Sequence, residues 1–213
     1  MAGWESLRVD LRRLYAESPD ALVGWPDPES ERSEQRIHVE LAAWATGIAA
    51  TLHAKYGEFV ELRVGAMTFP AGELWMGARQ YDLRGVPAES AGLEVESPSP
   101  LAVRTGRYAT RDVLVTNRSA YRQVLSTNGE LSSAVTDSSG KVVGRYVGPH
   151  SLALIGFEVE PDQTRSVPVL IGTASVVPDL AYAVPPGQWE LVIELQVGSS
   201  LLLSAPLDLT VTP

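Results

Sequence analysis

The sequence predicts an α+β fold, a helix-and-strand N-terminal unit followed by an antiparallel β-sandwich. Three observations carry this. Apolar residues recur at helical spacings only in the first part of the chain. From Leu93 onward they alternate in short runs, punctuated by Pro, Gly, Asn and Asp at roughly ten-residue intervals, which predicts about seven to nine strands in two packed sheets. Between the two regimes, Gly85 to Gly92 is rich in proline, glycine and small residues, so the parts are set at 1–90 and 91–213.

Trp4, Leu7, Leu11, Leu14 and Tyr15 share one face of a first helix, and Ser18-Pro19-Asp20 breaks it. Asp27-Pro28-Glu29 has the form of an N-cap, a proline at the first helical position and an acid in the first turn. A second helix is therefore predicted from Pro28 to Tyr56, stopped by Gly57, with Ile37, Leu41, Trp44, Ala45, Ile48, Leu52 and Tyr56 as its main stripe. Its other faces hold Ala42, Ala43, Gly47, Ala49 and Ala50. A helix apolar nearly all round is buried on more than one side, so Ala43, Gly47 and Ala50 are candidate contacts with the second part or with another subunit. Val60, Leu62, Val64 and Ala66 then alternate with their neighbours, predicting one strand over Phe59 to Phe69 before the Pro70-Ala71-Gly72 turn. Leu74-Trp75-Met76 reads either as a further strand or as a connecting loop.

In the second part, Leu93 to Glu96 opens the strand series and Arg111 to Thr116 continues it up to Asn117. Leu131 to Thr136 and Lys141 to Val147 form a hairpin through Asp137-Ser138-Ser139-Gly140. Phe157 and Val159 precede a Glu160-Pro161-Asp162-Gln163 turn, with Val167, Val169 and Ile171 beyond it. The clearest strand runs from Trp189 to Val197, with Trp189, Leu191, Ile193, Leu195 and Val197 on the core face; Leu207, Leu209 and Val211 make the last.

Composition narrows the function. With 26 acidic against 17 basic residues, the 213-residue chain has a formal charge of -9, contrary to the basic footprint of a generic nucleic-acid binder. The lack of cysteine excludes disulfides, Cys-type zinc sites, iron–sulfur clusters and thiol catalysis. Met1 to Leu14 has no apolar export core, and the most apolar stretch, Ile37 to Leu52, is shorter than the ~20 residues of a membrane span, so a cytoplasmic location is expected. The Asn117-Arg118-Ser119 sequon is then accidental.

Few residues offer chemistry. Glu34 and His38 stand four apart, a spacing that puts two ligands on one helical face, yet His53 is too far on to complete a metal motif. A solvated, salt-bridging face is the plainer reading. His150 follows Gly148-Pro149 in a loop, and no Gly-x-Ser-x-Gly elbow supplies a nucleophile for it. Ser139-Gly140-Lys141 fails as a phosphate loop, since Val135 stands for the first glycine and Val142 for the metal-binding hydroxyl. No catalytic residue, metal or cofactor is expected. Charge is uneven: residues 101–150 hold seven basic side chains against three acidic, and residues 151–213 one against seven. Arg104, Arg107 and Arg111 are thus candidates for an interaction surface, or alternatively outward positions that keep strand edges soluble. Four of the five tryptophans lie in the first part, leaving little aromatic platform for sugars or bases on the sandwich.

Val115 to Ser119, the TDSSGKVVGRY hairpin, FEVEPDQTRSVPV and Pro186-Gly187-Gln188-Trp189 together resemble a bacterial immunoglobulin-like module. Their order is similar to that of the intracellular proteinase inhibitor (BsuPI-like) domains over residues 93–213, without the aromatic-rich strand in the middle of that pattern. LHAKYGEFVELRVGAM, VLSTNG, VLIGTAS and AYAVPPGQW resemble an uncharacterised actinobacterial family across the whole chain. These resemblances imply an immunoglobulin-like sandwich and add no catalytic residue. The expected function is a non-enzymatic interaction or assembly module whose partner is another protein or a second copy. The alternative is a protease inhibitor acting through Pro178 to Pro186, whose bland reading is a connecting loop with Leu180 and Tyr182 capping the core. An enzyme using His150 or Glu34/His38 is the third reading.

Overall fold

Leu7 and Leu11, both fully buried, anchor the first helix, α1 (Ala2–Glu17), while Trp4 and Leu14 pack at its flanks and Tyr15 is exposed. The computed structural model describes residues 2–24, 36–75, 82–150 and 153–213. After α1 come β1 (Leu22–Gly24), β2 (Ile37–Leu41), α2 (Thr46–Tyr56), β3 (Val60–Val64) and β4 (Met67–Phe69). The sheet order is β1-β2-β3-β4, with the parallel pair β2–β3 joined through α2 and antiparallel strands on either side. Ile37, Val39, Leu41, Val60, Leu62 and Val64 meet Leu7, Leu11, Ala45, Ala49 and Leu52 in one apolar core.

The expected helix from Pro28 to Tyr56 is therefore corrected to a strand, a turn and a shorter helix. Residues 25–35, with Glu34 and the proposed Asp27-Pro28-Glu29 cap, lie outside the described residues. The physical reason is that Ile37 and Leu41 satisfy a four-residue helical spacing and a two-residue alternation equally. Buried Val39 between half-buried His38 and Glu40 belongs only to the alternation, and β3 supplies the partner strand. The strand expected over Phe59 to Phe69 is likewise a hairpin, turned at Gly65-Ala66. Leu74 makes a single bridge to Met67.

The open face of this sheet carries a charge ladder. His38 lies opposite Glu61 and Glu40 opposite Arg63, with His38 Nδ1 3.4 Å from Glu61 and Arg63 3.3 Å from Glu40. The Arg63 guanidinium lies 4.4 Å from the Trp75 ring centroid, and the Trp75 indole N–H donates to Gly65 O. On the helical side, Asp10 of α1 accepts from Lys55 at 2.5 Å and from the Tyr56 hydroxyl at 2.7 Å, tying α1 to the end of α2.

The remaining strands are β5 (Val86–Pro87), β6 (Leu93–Glu96), β7 (Leu101–Arg104), β8 (Tyr108–Asn117), β9 (Gln123–Thr127), β10 (Ser132–Thr136), β11 (Val142–Arg145), β12 (Ile155–Val159), β13 (Thr164–Gly172), β14 (Ala174–Ser175), β15 (Gly187–Val197), β16 (Ser200–Leu203) and β17 (Leu207–Thr212). They form a β-sandwich. One sheet has the order β13-β8-β6, and the larger is organised around β15. Leu191, Ile193 and Leu195 of β15 face Val113, Val115, Val167, Val169 and Ile171 of the smaller sheet, all fully buried. Trp189 and Val197 pack at the margin of this core.

Along one edge of β15 run β9 and β10, and along the other β16 and β17, each pair nearly end to end. Pro206 has no N–H to give the ladder, and the chain bridges that break with Ser204. Its N–H donates to Ile193 O, and its hydroxyl accepts from Ile193 N–H, both at 2.9 Å. Such interruptions divide long strands, so the described residues hold more strand segments than expected. The sheet is also mixed where an antiparallel one was expected, because β7 runs parallel to β17 and β5 parallel to β16. The hairpin through Asp137 to Gly140 is present, its second strand shortened to β11.

Asn117, in the sequon, is fully buried. Its amide donates to Tyr121 O and Val159 O at 2.7 and 2.9 Å, and its side-chain oxygen accepts from Ser119. The asparagine and serine of that tripeptide serve the β8–β9 turn.

Candidate functional site

The two parts meet at the turn between β7 and β8. Thr105 donates its hydroxyl to Val184 O, and the Thr173 hydroxyl sits 2.8 Å from both Arg104 O and Arg107 O, which fixes the turn against the sandwich. Gly106 has a φ of +70°, and a Cβ there would lie 2.9 Å from the Trp44 backbone, so the position requires glycine on both counts. Beside it the Arg107 guanidinium stacks 3.7 Å from the Trp44 ring centroid and pairs with Asp20. Nearby, Gly65 lets Ala43 approach closely, with Ala174 of the sandwich behind it. Phe69 packs on Tyr182 at 5.8 Å between ring centroids, and Ala66 joins Val176 in a small third core.

A second structure grows from this junction. After β11, residues Tyr146 to His150 cross the end of β13 at Gly172, where a Cβ would fall 2.3 Å from the Tyr146 backbone. The Tyr146 ring folds back and donates its hydroxyl to Pro149 O at 3.0 Å. Tyr108 meets it edge-on at 5.2 Å, and His150 does so at 5.1 Å, giving a chain of three nearly perpendicular rings. Two shallow clefts flank Tyr146. One, of about 170 Å³, runs between the two parts past Asp20, Ala43, Arg107 and the Arg145 side chain. Arg145 forms two hydrogen bonds with Glu194, at 2.9 and 3.1 Å, with both side chains mostly buried. The other cleft, of about 130 Å³, lies over Leu170 and is bounded by Tyr108, Tyr146, His150 and Glu130. Thr110 donates its hydroxyl to the Glu130 carboxylate. Burial first, then the neighbouring Tyr108 and Glu130, push the Tyr146 phenol above its usual range.

The residues singled out from sequence do not form one surface. Ala43 is buried in the turn before α2, against Gly65. Gly47 and Ala50 are exposed on α2, and Gly47 borders a groove between α1 and α2 with Leu14, Trp44, Ile48 and Leu52. Arg104 is exposed and donates to Pro213 O; Arg111 is exposed and donates to Thr110 O and Ala102 O. Arg107 contacts the first part of the same chain. His38 stands on β2 and not on a helix. In the loop Pro178 to Pro186, Leu180 packs on the sandwich core and Tyr182 on the N-terminal core. Among the described residues no group of three histidine, aspartate or glutamate side chains gathers as metal ligands, and no helix is long and apolar enough to cross a membrane. Sequence reasoning named His150 alone of the ring cluster. Tyr108, Glu130 and Tyr146 come from separate segments, and the Gly148-Pro149 pair was the single local hint of an unusual crossing.

No family model and no curated protein matches the chain. Similar solved structures include a β-glucosidase from Kluyveromyces marxianus, 12% identical with a TM-score of 0.33, the match covering 57% of this chain and 14% of that one. The CooA pilin subunit of enterotoxigenic Escherichia coli is 11% identical with a TM-score of 0.25, covering 57% and 99% of the two chains. The ASH/PapD-like domain of human CEP192 is 12% identical with a TM-score of 0.27, covering 57% and 86%. The chain spans less than a fifth of the length of the β-glucosidase.

Proposed function

We propose that this chain is a non-enzymatic protein-interaction module whose partner engages the ring cluster of Tyr108, Tyr146 and His150. One observation carries the reading. Tyr108 is 58% exposed although it belongs to a cluster held in place by Gly172, Pro149 and the neighbouring rings. A large aromatic that is open and already ordered suits a binding hot spot, because little side-chain freedom is lost on association. The immunoglobulin-like assignment belongs with this proposal, supported by β7 running parallel to β17 and by the three-stranded sheet facing β15. Inhibition through the loop Pro178 to Pro186 has less support, because its two bulky side chains face inward.

The test is a photo-crosslinking residue placed at Tyr108 and, as a control, at Tyr121, which is 78% exposed in the β8–β9 turn. The full chain is expressed in its native host and adducts are sized. A defined adduct from position 108 and none from 121 is expected. An adduct of twice the chain mass identifies self-association. No adduct at 108, or equal labelling at both positions, removes the proposal.

A further inference from the structure

We infer that the cup over Leu170, bounded by Tyr108, Tyr146, His150 and Glu130, receives a basic side chain, a lysine or arginine displayed on the surface of a partner protein. The inference rests on the interaction reading above and names the chemistry of the contact. Size comes first. At about 130 Å³ the cup is well below the range of ~300 Å³ and upward typical of cofactor and drug-sized ligand sites, and it suits the end of one side chain.

Its walls select the charge. Three aromatic residues, Tyr108, Tyr146 and His150, line the cup, and an edge-to-face chain does not use every ring face in ring–ring contacts. Ring faces carry the negative end of the aromatic quadrupole and attract a cation. Glu130 adds a full negative charge on the same rim, its carboxylate oriented by the Thr110 hydroxyl. Among the described residues no lysine or arginine lines the cup. Of the cations nearby, Arg107 is held by Asp20 and the Trp44 ring, Arg145 by Glu194, and Arg111 by the carbonyls of Thr110 and Ala102. The segment 101–150 that supplies most of the cup is itself net basic, so the attraction is local, from Glu130 and the rings at contact distance. Leu131 and Leu170, both lining the cup, offer apolar surface for the methylenes of either side chain.

The experiment is an NMR titration of the full chain with three capped tripeptides, Gly-Arg-Gly, Gly-Lys-Gly and Gly-Gln-Gly. Either basic peptide should move the Leu170 methyl and Tyr108 ring signals in a saturable way, and the glutamine peptide should not. Glu130→Gln should weaken the basic-peptide affinity by about two- to fivefold, the scale of an ion pair at a partly exposed site. Unchanged Leu191 and Ile193 signals verify that the variant is folded; Tyr108→Ser is the second variant, expected to weaken binding similarly. Equal responses to all three peptides, no response at Leu170 and Tyr108, or an affinity unaffected by Glu130→Gln each overturn the inference. A crosslink at Tyr108 together with silent basic peptides removes this inference and leaves the interaction reading standing. Loss of both removes both.

Discussion

Asp10 shows how one side chain couples two helices. The Lys55 ammonium and then the Tyr56 hydroxyl, both hydrogen-bonded to it, hold its carboxyl below the usual carboxylate range. Because the folded value lies below the unfolded one, the stabilisation is present above the ordinary carboxylate pKa. It is lost as pH falls through the folded value. Asp10→Asn should therefore lower the melting temperature at neutral pH, and the gap to the wild type should close progressively on acidification. Melting curves across that range check this, and a gap that stays constant or widens in acid would contradict it. His38 and Asn117 teach the same lesson at this scale. A residue type that suggests a ligand or a glycan is here spent on a strand-to-strand contact with Glu61 and on the inside of a turn.

At the scale of elements, glycines separate close crossings from open helix surface. At Gly172 the segment Tyr146 to His150 crosses β13 with no room for a Cβ, whereas a Cβ at Gly47 in α2 meets nothing within 4 Å. Gly172→Ala should cost about 1–3 kcal/mol of stability as overpacking and should shift the Tyr108 and Tyr146 ring signals. Gly47→Ala, in the first turn of α2, should instead stabilise by about 0.4–1 kcal/mol, by lowering the conformational entropy of the unfolded chain. Urea unfolding of both variants decides the matter, and equal effects would mean that the crossing is looser than described. The same scale explains what was readable in advance. α1, β15 and the Asp137 to Gly140 hairpin are written in local period and turn chemistry. β2 was not, because Ile37 and Leu41 satisfy both periods and the partner strand β3 settles which one applies.

Across the whole molecule, the junction is a set of small residues and one stacked cation. Gly65, Ala43 and Ala174 permit close approach, while Arg107 reaches from the sandwich to Trp44 and Asp20. A double-mutant cycle on Arg107→Ala and Trp44→Ala should give a coupling energy of about 1 kcal/mol, the scale of a partly exposed cation–π contact. Strict additivity of the two single effects would show that the stack does not help hold the parts together. Ala43 belongs to this junction as well, so a bulky charge there would strike intramolecular packing before it reached any partner.

The sequence by itself determined the mostly alternating character of residues 93–213, the core faces of α1, β3, β15 and β17, and the exclusion of cysteine chemistry. Those properties follow from period, turn residues and composition, all of which act over a few neighbouring positions. Tertiary structure alone decided the parallel pairings β2–β3, β5–β16 and β7–β17, the inward use of Arg107, the packing of Tyr182 on the N-terminal core, and the meeting of Tyr108, Glu130, Tyr146 and His150. Strand pairing and side-chain convergence depend on contacts between distant segments, and no local pattern encodes which distant segment arrives.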